Sequence, residues 1–510
     1  MSTNKPIRVC GHTNSPHTDK INPETTCGPN GSPVKNNLNG SELKREIGFF
    51  TATILVIANM VGTGIFTTSG FVIKELGSPT AMLICWAAGG VFALCGALCY
   101  GELGSRYPQA GGEYIYLKET FGKWMGFLSG WISLVVGFSA PIAAAAIAFA
   151  IYSFQMLSIS SAPPLVLPIM GLPVISISLQ SLVAISVVIL FSVVHYHSLK
   201  VGSRVQNLLT LFKVGLVVAF ITAGLFSENG TTANFWLETQ SGAGFAEKFA
   251  VSLIFISFAY AGWNASAYIG GEIKNPGRNI PLSLLVGTII VSSLYLLLNV
   301  VYIYALTPAQ MSGAVDVGAR AAVSLFGKNI SKMVSGAIAV GLLSVLSAMI
   351  MTGPRVYYAM SKDRIFFELF AKVSKARHTP AHSIFLQAGI AIILIITASY
   401  EKLLIYIGFT LSLFAMLTVI GLVRLRLKNG VNPTGYRTFG YPFTPLIFIA
   451  GNLWIIWFSI KSRPVPALCG FGTIGLGICA YLYFKKRQTH FRPHLKPNQA
   501  TQNTSRFSQS

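Results

Sequence analysis

The sequence predicts an all-α polytopic membrane protein with twelve transmembrane helices, and three observations support this. Of the 510 residues, 52% are hydrophobic and only 11% are charged, which is far less charge than a soluble protein of this size needs to cover its surface. Apolar windows long enough to cross a bilayer recur along the chain. The Lys and Arg residues between these windows are also shared unevenly between the two predicted sides.

The apolar windows divide the chain into three transmembrane regions. Residues 44–226 hold spans 1–5, residues 246–428 hold spans 6–10, and residues 440–484 hold spans 11 and 12. The third window is too long to lie upright, so we expect it to be tilted or to extend beyond the bilayer. The windows lie at about 49–72, 80–104, 123–155, 173–196, 204–226, 246–272, 282–306, 329–354, 382–400, 402–424, 440–460 and 465–484.

The net charge of +22 first suggests a nucleic-acid ligand, but the distribution of the charge argues against one. With both termini inside, most Lys and Arg residues fall in the inside loops and flanks, which is the pattern of cytoplasmic loops in membrane proteins. The basicity therefore reflects topology, with some attraction to anionic lipid. The predicted outside loops hold only Lys74, Lys248, Arg320, Lys328, Lys332, Lys402, Lys461 and Arg463.

The two ends of the chain are predicted to be cytoplasmic tails. Residues 1–43 are polar, rich in Asn, Thr, Pro and Gly, and lack a periodic apolar face, which is typical of disorder. Residues 485–510 form the second tail. No apolar core follows Met1, so we expect no cleavable signal peptide. The protein is predicted to lie in the plasma membrane, or in the inner membrane of a bacterium.

Spans 1 and 6 are each interrupted by glycine-containing segments, Gly62-Thr63-Gly64 and residues 259–263. Glycine frees the backbone from helical restraint. One interpretation of Gly-x-Gly is close packing of neighbouring helices. In hydrocarbon, however, freed N–H and C=O groups are tolerated only where they face protein or a watery cavity. Two such breaks, in the first and sixth spans, predict the midplane binding site of a transporter.

The chemistry of the two breaks predicts the kind of ligand. The N–H groups of Thr63, Gly64 and Ile65 would begin a new half-helix, whose positive dipole end suits a carboxylate. A half-helix ending near Phe258 leaves carbonyl groups that suit an ammonium. If the two breaks face each other, they describe a site for an α-amino acid zwitterion.

Four segments carry a family resemblance: Gly62 to Phe66, Pro108 to Tyr116, Phe258 to Asn264, and Asn275 to Pro281. With them the chain resembles the amino acid–polyamine–organocation transporters. It is most similar to the L-type branch, whose sixth span carries a similar Phe-Ala-Tyr-Gly-Gly-Trp-Asn string. The resemblance covers about residues 44–428 and implies the LeuT-like fold, in which spans 1–5 and 6–10 form two inverted five-helix repeats and two further helices follow.

The resemblance also implies roles for residues at the breaks. Amides of Thr63 and Gly64 would hold the substrate carboxylate, Phe258 would be an aromatic lid, and Asn264 would contact the unwound segment. Ala261 departs from the glycine of the L-type string and reduces the space beside the substrate. The carbonyl groups that would receive the amine belong to Met60, Phe258, Ala259 and Ala261. The full set of implied substrate-binding residues is Met60, Gly62, Thr63, Gly64, Phe258, Ala259, Ala261 and Asn264.

Lys213 is the one Lys or Arg residue that falls well inside a predicted span. A charge there costs at least about 2.5 kcal/mol on insertion scales, so we expect a function for it; the structural alternative is a snorkelling lysine. By resemblance, Lys213 stands where sodium-coupled relatives bind a cation, and its ammonium would bridge spans 1 and 8, with Ser344 and Ser347 as candidate partners. This implies sodium-independent transport, and leaves both proton coupling and exchange open.

Acidic residues are nearly absent from the spans, and this bears on substrate charge. Apart from Glu247, at the outside edge of span 6, only Glu102, near the inside end of span 2, and Glu272, at the end of span 6, lie within one. We expect both to pair with inside bases such as Arg106 or Lys274. A cationic substrate side chain would need a carboxylate near the pocket, so neutral L-amino acids fit better. Glu113 lies in the Gly-Gly loop, which in the family packs against the inside gate.

The sequence thus predicts a secondary active permease or exchanger of neutral L-amino acids that works by alternating access. The alternatives are a proton-coupled carrier of cationic amino acids or amines, and a non-transporting amino acid receptor. No nucleophile–base pair or phosphate-binding loop is visible, so we expect neither an enzyme nor a cofactor or metal site. By resemblance, a disulfide-linked heavy chain would need a cysteine between spans 3 and 4, and residues 155–173 contain none. A monomer or a loose homodimer is expected.

Overall fold

The structure is a computed structural model that describes residues 45–160, 165–169, 172–197, 199–237, 244–372, 380–397, 400–430 and 435–490. The tail predicted at 1–43 lies outside these residues. Of the tail predicted at 485–510, residues 485–490 are described, and they continue the last helix rather than beginning a tail.

The described residues are mostly helical. Short 3-10 helices cover Thr232–Trp236, Gly270–Glu272 and Glu368–Ala371, and a π-helix covers Ser133–Ser139. The α-helices are α1 (Phe49–Met60), α2 (Thr63–Leu76), α3 (Pro79–Arg106), α4 (Glu113–Phe121), α5 (Lys123–Ile132), α6 (Ala140–Leu157), α7 (Leu179–His197), α8 (Leu199–Leu225), α9 (Phe245–Tyr260), α10 (Ala265–Tyr268), α11 (Pro276–Ala305), α12 (Pro308–Met311), α13 (Val317–Phe326), α14 (Lys328–Thr352), α15 (Pro354–Lys362), α16 (Ala381–Thr397), α17 (Tyr400–Asn429), α18 (Phe443–Ser462) and α19 (Pro464–His490).

Ten helical segments within the described ranges are long and apolar enough to cross a membrane. They correspond to all the predicted spans except the sixth and the ninth. At those two places the structure has α9, of 16 residues, and α16, of 17 residues, which are shorter. The protein is therefore an α-helical multi-pass membrane protein, and the count of twelve spans stays a prediction.

The third span is long because a π-helix joins α5 and α6 into one segment of 35 residues, Lys123–Leu157. At about 1.5 Å rise per residue this is longer than the roughly 30 Å hydrocarbon core. Pro141, in the first turn of α6, has no N–H to continue a regular ladder. Nearby, the Ser139 hydroxyl donates to the carbonyl of Leu134 at 2.6 Å.

Helices at equivalent positions of the two predicted repeats pack against each other. In spans 1 and 6, α2 contacts α9; in spans 2 and 7, α3 contacts α11. Likewise α6 contacts α14 in spans 3 and 8, and α7 contacts α16 in spans 4 and 9. Two five-helix repeats related by a pseudo-two-fold axis place helices next to their counterparts in the other repeat. The observed packing therefore agrees with the LeuT-like fold.

One antiparallel hairpin departs from the all-α prediction. Strands β1 (Leu165–Ile169) and β2 (Leu172–Ile177) pair with Leu165 opposite Ile177. The prediction that span 4 begins at residue 173 is therefore wrong, since helix α7 starts at Leu179. The physical reason is that Pro173 interrupts a helical ladder, while the β-branched residues after it favour a strand.

Ion pairs identify the residues that share each end of the bundle. At one end, Glu272 pairs with Arg355 and Lys118 pairs with Asp363. We call this the basic end, because the loops predicted to lie inside, which hold most of the Lys and Arg residues between the spans, are at this end. At the opposite end, Glu75 pairs with Arg463 and Glu247 pairs with Lys461. These opposite-end pairs connect α2 and the start of α9 to the end of α18.

Candidate functional site

The first break separates α1 from α2 over two residues. Val61 ends α1 with φ −70° and ψ 83°, and Gly62 is extended with φ −117° and ψ −152° before Thr63 begins α2. The first N–H groups of α2 have no partner in the preceding turn because the helical ladder is interrupted there. They form a positive helix end at the centre of the bundle.

The second break separates α9 from α10. Ala261 has φ −54° and ψ 145°, and Gly262 has φ +100°, a left-handed conformation that favours glycine. The span continues only as the four residues of α10 and a 3-10 turn. The part of span 6 beyond the break is therefore less regular than the window at 246–272 predicted.

The structure brings the two breaks together. A Cβ added to Gly64 would lie 2.4 Å from the Cα of Ala259. A Cβ added to Gly262 would lie 2.7 Å from the carbonyl carbon of Asn59. Both approaches are closer than a side chain allows, so the glycines let the two unwound segments cross at van der Waals distance. The facing geometry that the zwitterion hypothesis requires is present.

Tyr295 of α11 joins the two breaks and was missed by sequence reasoning. Its hydroxyl lies 2.6 Å from the carbonyl oxygen of Met60 and 3.0 Å from that of Ala259. The Tyr295 side chain is 1% exposed. A buried tyrosine hydroxyl usually finds a hydrogen-bond partner, so a tyrosine within an apolar span was the available signal, but nothing in the sequence named its partners.

A cavity of about 110 Å³ lies between the breaks. Its walls also include residues of α6, α14 and α17, so the breaks face inward from both repeats. Phe258 lines it and is 8% exposed. All eight residues predicted to bind substrate line this one cavity: Met60, Gly62, Thr63, Gly64, Phe258, Ala259, Ala261 and Asn264.

Lys213 supports the first break from outside the cavity. Its side chain is 0% exposed, and its Nζ donates to the carbonyl oxygen of Ala58 at 3.0 Å and to that of Val61. These carbonyl groups lie in the last turn of α1, where the interrupted ladder leaves acceptors unpaired. A snorkelling lysine would reach water, and this one does not.

The two serines proposed as partners of Lys213 bind other residues. The Ser344 hydroxyl lies 3.0 Å from that of Thr210, and the Ser347 hydroxyl lies 2.8 Å from Nε2 of His195. The contact between the lysine and α14 is made through its methylenes, which pack beside Gly341. The ammonium therefore braces span 1, and its hydrogen bonds within the described residues do not reach span 8.

Glu113 connects the loop before α4 to the second break. Its Oε1 accepts a hydrogen bond from the Tyr100 hydroxyl at 2.6 Å and from Nδ2 of Asn264 at 2.9 Å. The carboxyl is 5% exposed and lines the cavity. Burial raises the pKa of Glu113 to about 7, although hydrogen bonds from Tyr100, Asn264 and Tyr268 oppose the shift. Asn264 thus contacts Glu113, rather than acting within the unwound segment alone.

The two acids within spans form buried ion pairs with arginines that the sequence did not single out. Glu102 binds the guanidinium of Arg426 rather than Arg106. Glu272 binds Nε of Arg355 at 3.1 Å rather than Lys274. The expectation that both acids pair with bases is confirmed, but the named partners were wrong, because distant helices meet at these points and no local spacing encodes them.

Helix α18 also reaches the cavity, through Phe448, Asn452 and Ile455. The sequence carried no motif in spans 11 and 12 to indicate this. The ring of Phe448 meets that of Trp263, beside the second break, edge to face at 6.0 Å between centroids. A helix outside the two repeats thereby forms part of the cavity wall.

Comparisons with known proteins agree with this geometry. The family described as amino acid permease matches residues 47–476. The chain is 30% identical to the b(0,+)-type amino acid transporter 1 of Mus musculus over 439 residues, covering 84% of this chain and 85% of that protein. It is 29% identical to the serine/threonine exchanger SteT of Bacillus subtilis (strain 168) over 457 residues, covering 88% and 98%.

A third relative is the large neutral amino acids transporter small subunit 2 of Mus musculus, 28% identical over 465 residues, covering 90% of this chain and 85% of that protein. These relatives are named as transporters or exchangers, which confirms the prediction that the chain is not an enzyme. With a family match over most of its length, the chain belongs to the amino acid permease family, within the amino acid–polyamine–organocation superfamily and near its L-type branch.

Proposed function

We propose that this protein is a secondary active transporter of neutral L-amino acids that works by alternating access without sodium. The observation that carries the proposal is the apposition of two broken helices around one buried cavity. The helix start at Thr63 and the helix end near Tyr260 face that cavity together. Opposed half-helix ends at the middle of a bundle are the recurrent binding site of transporters with inverted repeats.

The substrate backbone matches these helix ends in charge. The carboxylate would accept hydrogen bonds from the amides of Thr63 and Gly64, where the helix dipole is positive. The ammonium would donate to carbonyl groups at the ends of α1 and α9. The Tyr295 hydroxyl lies within hydrogen-bond distance of two of these carbonyls, those of Met60 and Ala259, and its single proton is donated to one of them at a time. Since a carbonyl oxygen has two lone pairs, both retain an acceptor site for the substrate.

The size of the cavity favours a small or medium side chain. At about 110 Å³, the cavity is smaller than the roughly 300–1,000 Å³ typical of pockets for drug-sized ligands. Ala261, in the place of a glycine in the L-type string, narrows it further. The walls contributed by Phe138, Val345 and Met349 are apolar, which suits an uncharged side chain.

Glu113 supports a second candidate, a carrier of cationic amino acids or amines. It is a buried carboxyl group on the cavity wall, and among the described residues its partners are neutral. A cationic side chain would neutralise it. We favour neutral substrates because this carboxyl group already accepts hydrogen bonds from Tyr100 and Asn264 and because a pKa of about 7 leaves the group partly protonated at neutral pH.

The position of Lys213 supports the proposal of sodium independence. Its ammonium donates to the Ala58 and Val61 carbonyls, which are hard oxygen ligands of the kind an alkali cation needs. A positive charge at this point both occupies those oxygens and repels a metal cation. The coupling mode, whether uniport, exchange or proton symport, is for the flux assay to distinguish.

Topology and assembly are proposed from charge and cysteine placement. We assign the basic end to the cytoplasm, with both termini inside, in a plasma or bacterial inner membrane. Residues 155–173 contain no cysteine, so we propose that no heavy chain is attached there by a disulfide and that the protein works as a monomer or loose homodimer.

The deciding experiment is flux into proteoliposomes that contain the purified protein. A panel of radiolabelled neutral, cationic and acidic amino acids should show saturable uptake of small neutral members, unchanged when sodium is replaced by choline. Preferred uptake of lysine or arginine would favour the second candidate. Binding without uptake, measured on the same preparation, would indicate a receptor, and a sodium requirement would contradict the role given to Lys213.

A further inference from the structure

Helix α18 reaches the cavity through one polar side chain, that of Asn452. The residue is 5% exposed and lines the same cavity as the break residues. Its neighbours on the cavity side of α18, Phe448 and Ile455, are apolar and buried. An amide held at the centre of a membrane span among apolar residues is costly and calls for a function.

Helix α18 approaches the second break closely. A Cβ added to Gly451 would lie 2.6 Å from the ring of Phe92 on α3, so a glycine is needed where the two helices meet. Phe448, one turn earlier, packs on Trp263. Asn452, next to Gly451 in the chain, lines the cavity together with Phe92 and Ala93 of α3.

The hydrogen bonding of Asn452 leaves one atom for a ligand. Its Nδ2 donates to the carbonyl oxygen of Phe448 at 2.8 Å. This contact distinguishes the Nδ2 and Oδ1 atoms of the Asn452 amide, because a carbonyl oxygen accepts hydrogen bonds only from the NH₂ group. No donor among the described residues bonds the Oδ1 of Asn452, so that acceptor is available to a molecule in the cavity.

We propose that Asn452 determines side-chain specificity, by accepting a hydrogen bond from the hydroxyl of a small polar substrate such as serine or threonine. The inference rests on the proposed function, since it requires that amino acids enter the cavity. A hydroxyl group on a short side chain fits an acceptor set in an otherwise apolar wall. A site built to accept such a bond discriminates against an analogue that lacks the donor.

The test uses pairs of amino acids that differ only by hydroxyl for methyl: serine against 2-aminobutyrate, and threonine against valine. In proteoliposomes, the ratio of initial uptake rates at low substrate concentration measures discrimination within each pair. The wild-type protein should favour the hydroxyl member by about 3- to 10-fold, the fold-change that one net hydrogen bond produces. Asn452→Leu keeps a similar volume and should reduce the ratio to about one.

Two further variants separate specificity from folding. Asn452→Ser keeps an acceptor and should retain part of the preference, so it tests the proposal if the leucine variant does not fold. Leu453→Ala changes the adjacent residue on the exposed face of α18, where Leu453 is 53% exposed, and should leave both ratios unchanged. An equal loss of both members of each pair in Asn452→Leu would show a merely structural residue and overturn the proposal.

A wild-type protein that transports amino acids without preferring the hydroxyl members would also overturn the inference, while leaving the proposed function intact. If no amino acid is transported at all, the proposed function itself fails. The two failures are thus distinguished within the same assay.

Discussion

The two breaks around the cavity are held open by different physical means. At the first break, a buried ammonium from α8 binds carbonyl groups of α1, and Gly62 is extended without strain. At the second, Gly262 takes a left-handed conformation against the backbone of Asn59, and Glu113 binds the side chain of Asn264. The first break therefore depends on a charge, and the second on a glycine and a titratable acid.

This difference separates the roles of the two breaks. A charged brace that satisfies backbone acceptors keeps one geometry for as long as the charge persists. A break held by a carboxyl group with a pKa of about 7 can change its hydrogen bonding near neutral pH. We therefore expect the two breaks to respond to different substitutions, the first to loss of the Lys213 ammonium and the second to a side chain at position 262 or to a change at Glu113.

The largest effect is expected for Lys213→Ala. The Ala58 and Val61 carbonyls would lose their donor in a buried place, which costs about 1–3 kcal/mol for each unsatisfied group. Uptake should be abolished or uncoupled while expression stays near normal. Lys74→Ala, which removes an exposed lysine from the last turn of α2, is the control and should transport normally. Unchanged uptake in Lys213→Ala would make the lysine a packing residue only.

A pair of glycine substitutions tests the contrast between the breaks directly. Gly262→Ala places a Cβ 2.7 Å from the backbone of Asn59 at φ +100°, a strain of about 1–3 kcal/mol. Gly62→Ala meets nothing closer than 3.7 Å and has an ordinary φ. We expect Gly262→Ala to lower both melting temperature and uptake, roughly 10-fold or more for uptake, and Gly62→Ala to be far milder. Equal effects would refute the distinction between the two breaks.

The titration of Glu113 gives a pH-dependent prediction. Burial raises its pKa from 4.5 to about 7 in the folded protein. The folded state therefore binds this proton more tightly than the unfolded chain does. Its stabilising contribution is complete below the unfolded pKa, declines as the pH rises, and is gone above about 7. The melting temperature in detergent should fall by a few degrees between about pH 5 and about pH 7.

Glu113→Gln is the matched variant, since it keeps the size of the side chain and cannot titrate. Its melting temperature should vary less over the same pH range, and its uptake should lose the inflection near pH 7 that the wild-type protein shows. If melting temperature and uptake depend on pH in the same way in both proteins, the titration of Glu113 does not affect the second break.

The sequence was sufficient for features that a local pattern encodes. Glycine-containing segments within apolar spans located both breaks, and an isolated Lys213 marked the residue that braces one of them. Hydrophobic windows placed most helices, because burial in lipid imposes a composition on each span separately. The hairpin at residues 165–177 was missed because its apolar residues read equally well as the start of a span.

What the sequence could not provide was contacts between distant segments. Glu102 finds Arg426 rather than Arg106, more than 300 residues away along the chain. Asn452 reaches the cavity only because α18 packs on α3 and α9. Such contacts depend on the tertiary arrangement of whole helices, and no spacing within one span records them.

The smallest expected effect is for Tyr295→Phe, which tests whether the two breaks act as one unit. The Tyr295 hydroxyl lies between the carbonyl oxygens of Met60 and Ala259, 2.6 Å from one and 3.0 Å from the other. Removing it leaves the aromatic packing intact but deletes a hydroxyl group that contacts both breaks. Since both carbonyls can be satisfied by the substrate ammonium or by water, we expect about a 3- to 10-fold loss of apparent affinity with little change in melting temperature.

A double-mutant comparison with Gly262→Ala completes that test. If Tyr295 couples the breaks, the losses of apparent affinity in the two single variants do not add up to the loss in the double variant. The reason is that Gly262→Ala displaces the second break, so that the Tyr295 hydroxyl no longer contacts both breaks. Additive losses would mean that the breaks respond independently, each through its own support. If Tyr295→Phe leaves the apparent affinity unchanged, the substrate ammonium binds carbonyl groups other than those of Met60 and Ala259. The first break would then contact the substrate only through the N–H groups at the start of α2.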